Sequence, residues 1–344
     1  MELDDLLAEG VRRGASDLHL TTGLAPMFRV DGDIDSCDLP ALEDARLEAW
    51  LHGIASEALR DDMHRGEEVD FCFEIPDVAR FRVNVFRQQR GIGAVFRTIP
   101  QAVPTLANLG LGDVFRRMAE APRGLVLVAG PTGSGKSTTL AAMIDYINAT
   151  RRKHILTIED PIEFVHEARN CLVNQREVGR HTRALTDALR AALREDPDVI
   201  LIGELRDLET IRLALTAAET GHLVFGTLHT PSAPKSVDRI VDVFPAGEKE
   251  MIRSLLAESL HAVVWQTLLR REGGGRVAAH EIMVATTAVR NLVREHKVAQ
   301  LYSVMQTSAA AGMQTLDQCL GRLVGEGVVS ASVAREHARF PETL

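Results

Sequence analysis

The chain of 344 residues is long enough for two domains. Its 45% hydrophobic and 25% charged residues are ordinary for a globular protein, and a formal net charge of -9 argues against a general polyanion binder. Its four cysteines form no C-x-x-C pair, which excludes a zinc ribbon and gives no sign of a disulfide framework. We therefore expect a reduced cytoplasmic protein without zinc.

The first 99 residues predict a small α+β domain. Apolar residues at helical spacing predict a helix over 2–13, and a second helical region follows at 41–64. Alternating apolar residues and turn signals predict the strands, at 17–21, 26–34, 69–75, 80–87 and 91–99, with a turn at Asp31-Gly32 inside the second of them. Two prolines then mark a linker, which we place at 100–107.

From residue 108 to 344, predicted strands and helices alternate, which is the pattern of a parallel α/β sheet. The strands are expected at 124–129, 154–159, 199–203, 222–228 and 276–283. The helices are expected at 136–148, 182–194, 208–220 and 247–260, with a mostly helical region from about 284 to 344. This second domain holds the motifs that carry chemistry. No apolar run approaches the ~20 residues that span a bilayer, and the acidic amino terminus lacks the features of a signal peptide.

A phosphate-binding loop follows the strand predicted at 124–129. Its residues fit the pattern G-x-x-x-x-G-K-S and open a helix, and they are Gly130, Pro131, Thr132, Gly133, Ser134, Gly135, Lys136, Ser137 and Thr138. The glycines let successive backbone N–H groups converge on phosphate oxygens, and the helix adds the positive end of its dipole. We expect Lys136 to reach the terminal phosphates of ATP and the Ser137 hydroxyl to bind Mg²⁺.

An acid follows the buried strand predicted at 199–203. The strand ends in Gly203-Glu204, which has the form of a Walker B element with glycine where an aspartate is usual. That leaves Glu204 to orient a water molecule or to help bind Mg²⁺. The alternative is that Glu204 only caps the next helix.

Three carboxylates close the strand predicted at 154–159, namely Glu159, Asp160 and Glu163. The carboxyl ends of parallel strands gather beside the ligand crevice, so these acids are candidates for binding Mg²⁺ or positioning water. A solvated loop is the alternative interpretation.

His222 and His229 bracket another strand, where parity places them on opposite faces. Hydrogen-bonded structural histidines would explain both equally well. No third ligand is evident, so we do not expect them to form a metal site.

Together these motifs resemble those of the secretion-ATPase superfamily of bacterial motors. The segments that carry the resemblance are GPTGSGKST (130–138), TIEDPIEFVH (157–166), LREDPDVILIGELRD (193–207) and TAAETGHLVFGTLHT (216–230). The similarity is strongest to type IV pilus retraction ATPases of the PilT type and covers essentially the whole chain. Three features favour retraction over pilus assembly or type II secretion: a start close to GASDLHL (14–20), no tetracysteine zinc insertion, and AVRNLVRE (288–295), which resembles AIRNLIRE.

The resemblance implies a PAS-like α+β N-terminal domain followed by a RecA-like P-loop ATPase core with a helical C-terminal region. It implies a cytoplasmic homohexamer associated peripherally with the inner membrane through a pilus platform protein, and a paralogous retraction ATPase as a further partner. It assigns Glu163 to positioning water, Glu204 to the metal, and His222 and His229 to sensing the γ-phosphate. Arg82 and Arg97 stand where the family has arginines that reach the nucleotide.

We therefore expect an ATP- and Mg²⁺-dependent hexameric motor that powers pilus retraction and twitching motility. The first alternative is a pilus assembly or type II secretion ATPase. A RecA-like nucleic-acid translocase is disfavoured by the acidic charge and by the lack of a basic and aromatic surface, so we expect no nucleic acid. A non-hydrolysing nucleotide-binding module is disfavoured by the presence of Lys136, Glu163, Glu204 and both histidines.

Overall fold

The computed structural model describes residues 2–99 and 102–344. It divides into two compact units, Met1–Ala102 and Val103–Leu344. Pro100 and Gln101 of the predicted linker lie outside the described residues, and residues 102–107 form neither helix nor strand. Among the described residues, no helix combines the length and the hydropathy that crossing a bilayer requires.

The first unit is an antiparallel sheet with helices on one face. Its helices are α1 (Leu3–Arg12), α2 (Asp44–Ile54) and α3 (Glu57–His64). Its strands are β1 (Asp17–Thr21), β2 (Met27–Val30), β3 (Asp33–Ser36), β4 (Val69–Ile75), β5 (Ala79–Gln88) and β6 (Gly91–Ile99). The strand order is β3-β2-β1-β6-β5-β4, and alternate residues such as Phe81, Val83 and Val85 face the helices.

Two elements predicted in this unit are divided in the structure. The segment predicted over 26–34 turns at Asp31-Gly32 as expected, where both residues have positive φ, and its two arms are β2 and β3. The helix predicted over 41–64 is interrupted, and Ser56 caps α3 by accepting a hydrogen bond from the Leu59 N–H.

The second unit is built on a seven-stranded sheet of order β13-β12-β7-β11-β10-β8-β9. Its strands are β7 (Gly124–Ala129), β8 (His154–Glu159), β9 (Leu172–Glu177), β10 (Val199–Ile202), β11 (Leu223–Leu228), β12 (Leu260–Arg270) and β13 (Arg276–Val284). All neighbours pair in parallel except β12 and β13, which form an antiparallel hairpin. The central strands β7, β10 and β11 are buried along their whole length, which explains their continuous apolar runs. The predicted α/β fold class is confirmed.

Helices cover both faces of this sheet. They are α4 (Asp113–Ala119), α5 (Lys136–Thr150), α6 (Leu185–Ala192), α7 (Leu208–Glu219), α8 (Ala233–Asp242), α9 (Lys249–Ser259), α10 (Thr287–Arg294), α11 (Leu301–Thr307), α12 (Leu316–Gly325) and α13 (Ala331–His337). Two large apolar clusters, one on each face, form most of the core, and a smaller one joins β12 and β13 to α12 and α13. The carboxyl ends of the parallel strands lie at one edge of the sheet and carry the candidate site.

Helix α10 contains most of the AVRNLVRE segment. Val289 and Val293 are buried, as its amphipathic pattern predicts. Arg290 differs from the prediction of an outward polar face, because it is partly buried and its guanidinium donates to the carbonyl oxygens of Ala285 (3.0 Å) and Glu258 (2.7 Å). It therefore binds the C-terminal end of α9, where orphan carbonyls favour a cation.

Candidate active site

The loop between β7 and α5 has the backbone shape that phosphate binding requires. Gly130, Gly133 and Gly135 have φ of +145°, +76° and +84°, which side-chain-bearing residues rarely adopt. A Cβ atom on Gly130 would also come within 2.2 Å of the backbone oxygen of Gln266. Position 130 therefore requires glycine for two reasons, the positive φ and the close approach of the Gln266 backbone.

Lys136 is held inside this loop. Its Nζ donates to the backbone oxygens of Gly130 (3.1 Å) and Pro131 (2.9 Å), and the residue is buried. Burial lowers the pKa of Lys136, while the charges of Glu204 and Glu163 oppose that shift. The charge of the Lys136 ammonium group therefore interacts with the carboxylates of Glu163 and Glu204.

Gln266 on β12 supports the loop, and sequence reasoning missed it. Its Nε2 donates to the Ser134 carbonyl (2.6 Å), and its Oε1 accepts from the Thr139 hydroxyl (2.9 Å). The side chain is 1% exposed, so these bonds replace solvent completely. The signal in the sequence is the polar pair Gln266-Thr267 inside the mostly apolar run 260–269.

Glu204 lies just beyond β10, beside two groups that can carry positive charge. Its Oε2 is 2.8 Å from Arg206 Nη2 and 3.7 Å from His229 Nε2. A side chain at Gly203 would have its Cβ only 3.3 Å from the Glu159 Cα, so the backbones of neighbouring strands approach closely here. That approach explains the glycine in place of the usual aspartate.

The acidic segment after β8 is fixed by Gln175 of β9. The Gln175 Nε2 donates to the Phe164 carbonyl (2.8 Å) and to Glu159 Oε1 (3.3 Å), and its Oε1 accepts from the His166 N–H (2.7 Å). Burial raises the pKa of Glu159 to about 7, although the Thr157 hydroxyl at 2.7 Å favours the charged form. Glu159 therefore differs from Glu163, which is only half-buried and whose charge acts on Lys136.

The two predicted histidines lie at opposite ends of β11. His229 follows β11 and lies beside Glu204; burial and the Lys136 charge lower its pKa. His222 precedes β11, where its Nδ1 lies 2.9 Å from the Ala217 carbonyl and its own carbonyl binds the Gly124 N–H. Six strand residues separate them, roughly 20 Å at the usual rise, so the structure does not bring His222 to the phosphate-binding loop of its own chain.

The hairpin of β12 and β13 also holds the segment that follows His229. The Trp265 Nε1 donates to the Thr230 carbonyl (2.7 Å), and buried Glu281 accepts from the Ala233 N–H (2.6 Å). Ser232 caps α8, and Pro234 lies in its first turn, where no N–H is needed. The hairpin therefore contacts both the loop and the histidine segment.

Arg82 and Arg97 lie directly across from each other on β5 and β6 of the first unit. Each is paired with an aspartate: Arg82 Nη2 is 2.6 Å from Asp70 Oδ2, and Arg97 Nε is 2.9 Å from Asp17 Oδ1. Asp17 is buried, whereas the Arg97 side chain is 58% exposed. The two arginines thus lie side by side on the face of the sheet opposite α1, α2 and α3, each in an ion pair with an aspartate.

Comparison with known proteins gives consistent results. A family model described as type II/IV secretion system protein matches residues 2–335. The chain is 64% identical over 344 residues to the type IV pilus retractation ATPase PilT of Pseudomonas aeruginosa, covering 100% of both chains. It is 58% identical over 320 residues to a twitching motility protein of Neisseria gonorrhoeae, covering 93% of this chain and 86% of that protein.

A solved structure is similar over the same extent. It is a crystal structure of the pilus retraction motor PilT with bound ADP, with a TM-score of 0.90 and 47% sequence identity. The match covers 100% of this chain and 99% of that chain.

Proposed function

We propose, because this chain belongs to the type II/IV secretion system protein family, that it is an ATPase motor powering type IV pilus retraction. The observation that carries the proposal is 64% identity, over the full length of both chains, to a pilus retraction ATPase. The geometry of the phosphate-binding loop supplies the chemical basis.

The loop residues fit a nucleotide. Three glycines with positive φ open the backbone N–H groups, and the buried Ser134 Oγ has no hydrogen-bond partner among the described residues. We propose that residues 130–138 bind the phosphates, that Lys136 contacts the terminal phosphates, and that Ser137 and Glu204 hold Mg²⁺. The bound ion would neutralise phosphate charge, as in other P-loop enzymes.

The acids then have separate roles. We assign Glu163 to orienting the attacking water and Glu204 to the metal and its bound water, since both influence Lys136. His229 is assigned to sensing the γ-phosphate, because its Nε2 lies 3.7 Å from Glu204. A contact between His222 and a γ-phosphate would require a site other than the loop of its own chain.

We propose a homohexamer in which Arg82 and Arg97, from a PAS-like domain at residues 1–99, stabilise charge on the transferring phosphate of a RecA-like core at 108–344. Residues 100–107 would be the linker. The motor would lie at the cytoplasmic face of the inner membrane, contact the pilus platform protein, and act beside a paralogous ATPase.

The deciding experiment is the pilus state of a strain that lacks this chain. We expect excess surface pili and lost twitching, and no rescue by Lys136→Ala, which removes the charge aimed at the terminal phosphates. The matched control Lys153→Ala, at the opposite edge of the sheet, should restore twitching. A strain without pili would instead support the alternative of pilus assembly.

A further inference from the structure

A cluster of metal-ligating side chains lies on the helices of the first unit. Glu48 and His52 are four residues apart on α2 and share one face of it, and His64 is the last residue of α3. Each side chain offers one ligand atom, and these atoms all lie within 4.8 Å of one another.

The two imidazoles are arranged closely. Their ring centroids are 4.8 Å apart, with an angle of 70° between the planes. The Nε2 atom of His52 is buried and finds no hydrogen-bond partner within residues 2–99 and 102–344. Burying a polar nitrogen without a hydrogen-bond partner costs free energy, so the His52 Nε2 atom would gain by binding a ligand.

The carboxylate of Glu48 is available to a ligand. Arg87 is a basic neighbour, with its Nη2 3.8 Å from Glu48 Oε1. The two side chains are 47% and 36% exposed, so solvent screens this pair and the attraction is weak.

We propose that Glu48, His52 and His64 bind one zinc ion that links α2 to α3. Two imidazole nitrogens and one carboxylate are a ligand set typical of zinc, with water in the fourth position. The expectation of no zinc rested on the cysteine spacing, and this site uses no cysteine. It is also separate from the nucleotide site of the second unit.

The ion would stabilise the helical layer of the first unit. Helices α2 and α3 are joined only by Ala55 and Ser56, and both contribute to the core through residues such as Leu47, Leu51 and Met63. Because zinc would bind the folded helix pair and not the unfolded chain, zinc should raise the melting temperature.

Calorimetric titration of the full chain, stripped of metal, with Zn²⁺ tests the proposal. We expect one site per chain, with affinity lowered at least about 10-fold in Glu48→Gln and in His64→Ala, the lower limit even for residues that only support a ligand. His64 is exposed and Glu48 is partly exposed, so both variants should fold. The control His337→Ala, also an exposed histidine at a helix end, should bind zinc as the unchanged chain does.

Visible absorption of the Co²⁺ form identifies the ligands. We expect the spectrum of a four-coordinate ion without the intense near-ultraviolet band of a cobalt–thiolate bond. A thiolate band would overturn the proposal, since a cysteine would then be a ligand. Equal zinc affinity in His64→Ala, His337→Ala and the unchanged chain would overturn it too, as would the absence of a site.

Discussion

Glu204 forms an ion pair with Arg206 at 2.8 Å, and the His229 imidazole, whose pKa is lowered by burial and by the Lys136 charge, lies 3.7 Å away. Glu204→Gln keeps the shape of the side chain but loses the charge that polarises water or helps hold Mg²⁺. We expect ATP affinity to be retained while turnover falls at least about 100-fold, the lower range for loss of a general base. Steady-state hydrolysis and nucleotide binding should be compared with the exposed control Glu219→Gln. Asp207, and not Glu204, caps α7 by accepting a hydrogen bond from the Thr210 N–H, so unchanged turnover would leave Glu204 with no role beyond its ion pair with Arg206.

Glu159 makes the stability of the second unit depend on pH. Its pKa is raised to about 7 from 4.5, so the folded state keeps a proton that the unfolded state releases. This stabilisation is complete below the unfolded pKa and is lost as pH rises through about 7. Glu159→Gln cannot lose a proton, so its urea midpoint should rise relative to the unchanged chain between about pH 5 and about pH 8. Parallel pH curves would contradict the shifted pKa.

At the scale of elements, β12 supports the phosphate-binding loop through one side chain. Gln266→Leu keeps the volume roughly but leaves the Ser134 carbonyl and the Thr139 hydroxyl without this partner. Each unsatisfied buried group costs about 1–3 kcal/mol. We therefore expect a lower melting temperature, and ATP affinity weakened about 2- to 10-fold if half of one such cost, about 0.5–1.5 kcal/mol, opposes nucleotide binding. The exposed control Gln306→Leu should change neither the melting temperature nor the ATP affinity. If Gln266→Leu has an unchanged melting temperature and an unchanged ATP affinity, Gln266 does not stabilise the phosphate-binding loop.

The sequence predicts those parts of the second unit whose structure is determined by residues that are neighbours in the chain. The loop 130–138 follows an apolar strand and opens a helix, so strand, turn and helix signals agree over about twenty residues. Strand β9 is polar and is the outermost strand of the sheet. Its sequence therefore lacks the alternation of apolar and polar residues that would predict a strand. Strand β12 is an apolar run that pattern alone does not distinguish from a helix.

The partners within the site are long-range and follow only from the topology. Gln266 meets Ser134 and Thr139 across more than a hundred residues of sequence. Conversely, His222 and His229 are close in sequence, yet a whole strand separates them. Spacing therefore identified the loop and its acids but not the residue that supports the loop, nor the edge on which each histidine lies.

At the scale of the whole molecule, the arginine pair predicts that hydrolysis needs both units. A chain without residues 1–99 should still bind ATP but hydrolyse it poorly, and Arg97→Ala should lower turnover more than affinity, because charge develops most in the transition state. Activity should be measured together with light scattering, with Arg12→Ala, an exposed arginine of α1, as the control. Full activity from a monomeric core would contradict a ring motor.

The hairpin of β12 and β13 gives the two walls of the nucleotide cleft a common foundation. Gln266 holds one wall at Ser134, while Trp265 and Glu281 hold the other at Thr230 and Ala233. Because these contacts come from one hairpin, we expect a displacement of the hairpin to move both walls together. We therefore expect the width of the cleft to depend mainly on the segments that follow β8 and β10, which carry Glu163 and Glu204.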